Sequence, residues 1–232
     1  MRRLCTVSSG AGKVRRAAAV FCGLCLIAAA EYSAAAEIAA LVRDQVGQAV
    51  ADAVVVAVPV NGTPRFAPPT GREIVDQIDL EFVPRVKPIL VGALVNFPNK
   101  DNVRHQVYSF SGAKQFELPL YTGTPAKPVP FDKPGVVVLG CNIHDWMVGY
   151  IYVSESPYFA KTGADGSALL RELPPMKYTL RVWHPRLDGP EAATNQPADV
   201  SANRRADLAW QITLRPELRI RRAPTAGAHR RY

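Results

Sequence analysis

The chain has 232 residues, with 28 Lys and Arg against 20 Asp and Glu, 48% apolar residues and 21% charged ones. That balance excludes a disordered acidic chain and a membrane protein of many spans, and the length suits one or two domains with a buried core. A formal charge of +8 and four cysteines point towards polyanions and disulfides, but both depend on what the N-terminus is.

Residues 1–36 place Arg2, Arg3, Lys13, Arg15 and Arg16 ahead of an apolar run at 17–30, followed by Ser33-Ala34-Ala35-Ala36. A basic region, a short apolar run and a small-residue site predict a secretory signal cleaved near Ala36. The run is short of the roughly 20 residues that span a bilayer. Removing this segment takes five basic residues and Glu31, so 28 against 20 becomes 23 against 19. Six arginines (Arg215, Arg219, Arg221, Arg222, Arg230, Arg231) then lie in the last 18 residues with one acid, Glu217, which leaves 17 basic and 18 acidic groups in residues 37–214. A near-neutral body argues against nucleic acid as a partner, and residues 217–232 read as a solvated basic tail. No transmembrane segment is expected after cleavage.

Cys5, Cys22 and Cys25 leave with the signal, so Cys141 is the one cysteine of the expected mature chain. In an oxidising compartment such a thiol is buried, pairs between chains, or holds a metal.

Past residue 45 no long amphipathic helical period is present. Residues 39–50 fit either a short helix or a first strand. Short apolar, β-branched runs then follow at 53–58, 78–83, 89–97, 106–110, 136–140, 148–153, 178–183 and 208–214. Turn residues separate them at Asn61-Gly62, Pro98-Asn99, Lys133-Pro134-Gly135 and Ala164-Asp165-Gly166. This pattern predicts an all-β sandwich or barrel. Residues 117–130, rich in Pro, Thr and Gly, read as a loop.

The chemistry concentrates in Cys141-Asn142-Ile143-His144-Asp145-Trp146-Met147, a C-x2-H-x2-M run directly after the strand predicted at 136–140. His105 lies 36 residues upstream, beside the strand predicted at 106–110. One thiolate, two imidazoles and one thioether make the donor set of a type 1 copper site, a trigonal His2Cys plane with a weak axial Met. The soft sulfur donors favour Cu(I) and the imidazoles also suit Cu(II), so one geometry serves both states. Zinc is disfavoured, because closed structural zinc sites use Cys and His without Met. Taken singly, Cys141 reads as a small buried hydrophobe and Met147 as core. Their joint spacing with His144 favours the metal. His184 reads as a surface or locally hydrogen-bonded residue, and Trp146 as packing or part of an apolar docking surface.

At these residues the chain resembles the cupredoxins, and its short ligand loop is most similar to the amicyanin and plastocyanin-like group. The resemblance runs from about Ile78 to Val153, through Phe82-Val83-Pro84, Val91-Gly92, Val95-Asn96-Phe97-Pro98-Asn99 and Phe131-Asp132-Lys133-Pro134-Gly135. The chain also looks like the periplasmic proteins labelled methylamine utilization proteins. The resemblance implies a Greek-key β-sandwich, a periplasmic location and single-electron transfer. It implies one copper ion held by His105, Cys141, His144 and Met147, with His144 as the electron port. It also implies redox protein partners such as a c-type cytochrome or a dehydrogenase, and no catalytic residues. Arg104 and Gln106 stand where the family often has Pro and Asn, which bears on the bonding that orients His105. Leu139-Gly140 replaces the aromatic that commonly precedes the Cys.

Residues 162–166 and 173–182, with 46–56, look like a carboxypeptidase-regulatory, transthyretin-like β-sandwich. The expected organisation is a signal at 1–36, N-terminal strands at 37–72, a cupredoxin unit at 73–153, a regulatory-like sandwich at 154–216 and the tail at 217–232. Two alternatives to electron transfer are a copper-binding accessory or delivery protein and a non-redox β-sandwich adaptor. With four histidines in all, too few remain for a second copper centre, so an oxidase or reductase is not expected.

Overall fold

In a computed structural model, residues 36–62, 66–201 and 204–217 are described, and nearly all regular structure among them is strand. The first nine strands are β1 (Ala36–Asp44), β2 (Val54–Pro59), β3 (Arg72–Ile74), β4 (Asp76–Ile78), β5 (Glu81–Val83), β6 (Val86–Leu90), β7 (Ala93–Asn96), β8 (His105–Ser111) and β9 (Lys114–Tyr121). There follow β10 (Val129–Phe131), β11 (Gly135–Gly140), β12 (Val148–Ser154), β13 (Phe159–Lys161), β14 (Ser167–Leu173) and β15 (Lys177–Trp183). A short 3-10 turn (Glu191–Thr194), β16 (Gln196–Asp199) and β17 (Arg205–Ile212) complete the order. The expected signal lies outside the described residues, as does the basic tail beyond Glu217.

Burial alternates along β1, with Ile38, Ala40 and Val42 pointing inwards, so residues 39–44 are strand rather than helix, and 45–50 turn away from it. β1 pairs with β14 antiparallel and with β17 parallel. This sheet shares a core with the sheet ordered β13-β2-β15-β16, through Val55, Ala57, Leu170, Leu180, Val182 and Trp210. A five-stranded sheet ordered β6-β12-β11-β8-β9 encloses a second core with the β10-β7-β3 sheet, built on Phe82, Ile89, Phe97, Phe131, Leu139 and Ile151. The first core draws on residues 36–57 and 168–214, the second on 75–153. A third cluster of Val54, Val56, Val86 and Tyr152 packs β2 against β6 and β12. β2 therefore buries both faces, which is why residues 53–58 carry an unbroken apolar run in place of an alternating one.

Three sequence expectations need correction. The run at 78–83 is a hairpin, β4–β5, turned at Asp79 and Leu80 with φ of 54° and 60°. The run at 89–97 is two strands, broken at Val91-Gly92, where Gly92 takes φ +88°. In the stretch 117–130, residues 117–121 and 129–130 are strand, in β9 and β10, and the loop is confined to 122–128. Pro119 suits β9 because that strand is a sheet edge, and the β8–β9 register shifts between His105 and Val107, opposite the stretch that carries it.

Candidate metal centre

His105 opens β8, and Cys141 follows β11, its neighbour in the five-stranded sheet. The strand pairing of Gly140 with Tyr108 brings these two strand ends side by side. A Cβ at Gly140 would sit 2.7 Å from the Tyr108 ring, so this ring covers the position before the cysteine from the adjacent strand. An aromatic is thus present there, contributed by β8 rather than by residues 139–140.

After Cys141 the chain turns tightly, the Met147 N–H donating to the His144 carbonyl at 2.9 Å before β12 begins. The turn brings His144 back over the cysteine. Cys141 Sγ lies 3.9 Å from His105 Nδ1 and 3.7 Å from His144 Nδ1. The three donor atoms all lie within 4.8 Å of one another. Met147 is 1% exposed and belongs to the same buried cluster as Cys141. His105 and Cys141 are buried and His144 is half-buried, while Ile143 beside it is exposed.

These separations can be tested against bond lengths. Metal–thiolate and metal–imidazole bonds of about 2.3 and 2.0 Å, as for zinc, meeting at trigonal or tetrahedral angles, put sulfur and nitrogen about 3.5–3.7 Å apart. The observed 3.7 Å lies at the upper end of that separation and 3.9 Å within about 0.2 Å of it, so the donor set fits a copper-sized ion.

The tautomer of His105 fits too. Its Nε2–H donates to Asp101 Oδ2 at 2.7 Å, which leaves the Nδ1 lone pair facing the sulfur. Asp101 also accepts the Asp79 N–H on Oδ1 at 2.7 Å and the Leu80 N–H on Oδ2 at 2.9 Å. Burial opposes its ionisation, yet the hydrogen bonds from Leu80, His105 and Asp79 and the nearby imidazole hold the carboxyl below its ordinary value. Asn99, 5% exposed, ties the loop together. Its Nδ2 donates to the Val103 and Tyr121 carbonyls, each at 2.8 Å, and its Oδ1 accepts the Asp101 N–H at 3.0 Å. Arg104 and Gln106 take neither role: Arg104 is exposed and Gln106 bonds Glu117.

Sequence reasoning missed Asp101 and Asn99. The signal was a carboxylate four residues ahead of a histidine in a short loop, a spacing with no meaning outside a regular helix until the loop closes. His184 is locally bonded, its Nδ1 accepting the Arg186 N–H at 3.1 Å. Trp146 packs its ring 5.3 Å from that of His144, and its Nε1 is buried with no hydrogen-bond partner among the described residues.

No protein-family model and no curated protein matches the chain. Among solved structures it is similar to a Cu-containing nitrite reductase from Thermus scotoductus SA-01, at 30% identity over 42% of this chain and 25% of that one, with a TM-score of 0.35. It is similar to a purple cupredoxin from Nitrosopumilus maritimus at 26% identity, over 36% of this chain and 98% of that one, TM-score 0.31. A reduced amicyanin variant aligns at 21% identity over 43% of this chain and 99% of that one, TM-score 0.33. The chain thus spans a quarter of the reductase and nearly all of the two smaller proteins. The all-β class itself rests on this chain's own strands and sheets. With scores this low, the likenesses carry nothing about the centre itself.

Among the described residues no helix is long and apolar enough to cross a membrane.

Proposed function

We propose that this is a periplasmic type 1 copper protein that passes single electrons between redox protein partners. The observation that carries the reading is the pair of sulfur–nitrogen separations, 3.9 and 3.7 Å, around a buried thiol. Nδ1 of His105, Nδ1 of His144 and Sγ of Cys141 would hold the ion, with the Met147 thioether as a weak fourth donor. Copper, when bound, supplies a one-electron couple. The chain supplies placement: His105 is locked by Asp101, and Cys141 and Met147 lie in an apolar cluster that keeps water away. His144, half-buried, lies between this interior and the surface.

Residues 73–153 form the copper-binding unit in this reading, set between the two segments of a regulatory-like sandwich. The two separate cores support that division. The basic and apolar residues of 1–36 support export to the periplasm.

The test is to add Cu(II) to the purified protein and record the visible spectrum. An intense thiolate-to-copper band is expected, and His105→Ala abolishes it. Bound Cu(II) without that band defeats the proposal. Reversible oxidation and reduction with copper retained separates electron transfer from copper delivery, which requires only Cu(I) binding and release. An adaptor role predicts that Cys141→Ser leaves the protein's function intact.

A further inference from the structure

We propose that Asp101 is the positioning residue of this centre: it fixes the tautomer and direction of His105, and its negative charge lowers the reduction potential of the bound ion. The inference rests on the copper reading above and adds to it a residue that sets how the site behaves.

One carboxylate meets three donors that come from two places in the chain. Oδ1 takes the Asp79 N–H, and Oδ2 takes both the Leu80 N–H and the His105 Nε2–H. Asp79 and Leu80 form the β4–β5 turn, both at positive φ, and both of their N–H groups point to the same carboxylate. Asp101 is held from behind as well, since its own N–H donates to buried Asn99. It cannot swing away from His105 without stranding two turn N–H groups, so the imidazole has one available orientation.

Shape and charge can be told apart. Any acceptor at this place would keep the proton on Nε2 and the lone pair on Nδ1. A charged one increases the electron donation of the imidazole more than a neutral one does, and its charge favours the more highly charged state of the ion. The charge therefore biases the site towards Cu(II).

Asp101→Asn keeps the size and removes the charge. Asp101→Glu keeps the charge. Asp76→Asn is the control, removing a carboxylate that bonds Lys100 rather than His105. With Cu(II) added to the purified full chain, Asp101→Asn should weaken Cu(II) binding by about 10–100-fold. Cu(I) binding should change less. Each tenfold fall in the ratio of Cu(II) affinity to Cu(I) affinity raises the potential by about 59 mV for one electron. Asp101→Glu and Asp76→Asn should both stay closer to wild type than Asp101→Asn does. If Asp101→Asn lowers the thermal midpoint but leaves the potential in place, Asp101 only braces the turn and the proposal is overturned. An equal shift in Asp101→Asn and Asp101→Glu overturns the role of charge. In metal-free protein the imidazole nitrogen shifts should show His105 as the Nε2–H tautomer, and Asp101→Ala should lose that preference. An Nδ1–H tautomer in the wild type overturns the proposal. A chain that takes up no copper defeats the copper reading, while the nitrogen shifts still decide the place of Asp101.

Discussion

Cys141 is 3% exposed and has two imidazole nitrogens within 4 Å of its sulfur, converging on the same side of it, so the sulfur has little to contact but donors and core. A small buried hydrophobe would need neither histidine. Met147 is ambiguous in a different way, because its position inside the second core is what any apolar residue would take. Met147→Leu separates the two roles, since the swap keeps volume and costs less than about 1.5 kcal/mol. The blue band should persist and the potential should rise, because losing a weak donor costs the higher-charged state more. A potential that falls on direct voltammetry would contradict the assignment of Met147. The residues around the donors were only half legible. His105, Cys141, His144 and Met147 carry their chemistry in their side chains and their spacing. Asp101 and Asn99 are ordinary loop residues until folding brings the β4–β5 turn and Tyr121 against them.

At the scale of elements, the ligand loop is short because β11 and β12 are antiparallel neighbours, joined over residues 141–147. The packing beyond it leaves no room at Gly149, where a Cβ would lie 2.8 Å from the buried Phe82 Cβ and 3.1 Å from its ring. Here the close approach of β5 to β12 requires glycine. Gly149→Ala should destabilise the fold by about 1–3 kcal/mol through overpacking. Urea unfolding checks this; a change below a few tenths of a kcal/mol would mean that β5 moves away freely. Strands with strong apolar runs, such as β2, β11, β12 and β15, were readable along the chain. The β4–β5 hairpin was not, because Leu80 is an unlikely turn residue and its positive φ is supported by Asp101 from 21 residues away. β9 was hidden for a related reason. Proline signals a break, and only its place on a sheet edge makes it tolerable.

Over the whole molecule the two cores meet through β2, β6 and β12, and a polar network joins the same layers. Arg181 on β15 donates to Glu155 at 2.6 and 2.7 Å and to Glu191 at 2.6 Å, and the Tyr152 hydroxyl from β12 donates to Glu191 at 2.5 Å. Burial, then the Glu191 charge, raises the Tyr152 hydroxyl well above its ordinary value, so it stays a donor. His184 sits near the same junction, in a cleft with Arg85, Arg186, Asp52 and Glu217. Burial first, then the Arg186 and Arg85 charges, lowers its value from 6.5 to about 4, against the opposing pull of Asp52 and Glu217. The folded state thus keeps His184 neutral where the unfolded chain protonates it. Its contribution is fully present above about pH 6.5 and is lost as the pH falls towards about 4. His184→Asn, whose amide oxygen can still accept the Arg186 N–H, should lose that slope. Urea unfolding of the metal-free protein and the variant across this window checks it. Parallel slopes would place the titration elsewhere.

What the sequence determined by itself is the all-β class, the four donor residues and their order, since apolar periodicity and side-chain chemistry are local properties. Removing an expected signal left one cysteine, and its spacing to His144 and Met147 was legible without coordinates. Only the tertiary structure decided that His105 meets the sulfur from the next strand, which carboxylate holds it there, and that β2 is covered on both faces. Each of those depends on which strands pair and in what register, and on hydrogen bonds closed between segments tens of residues apart.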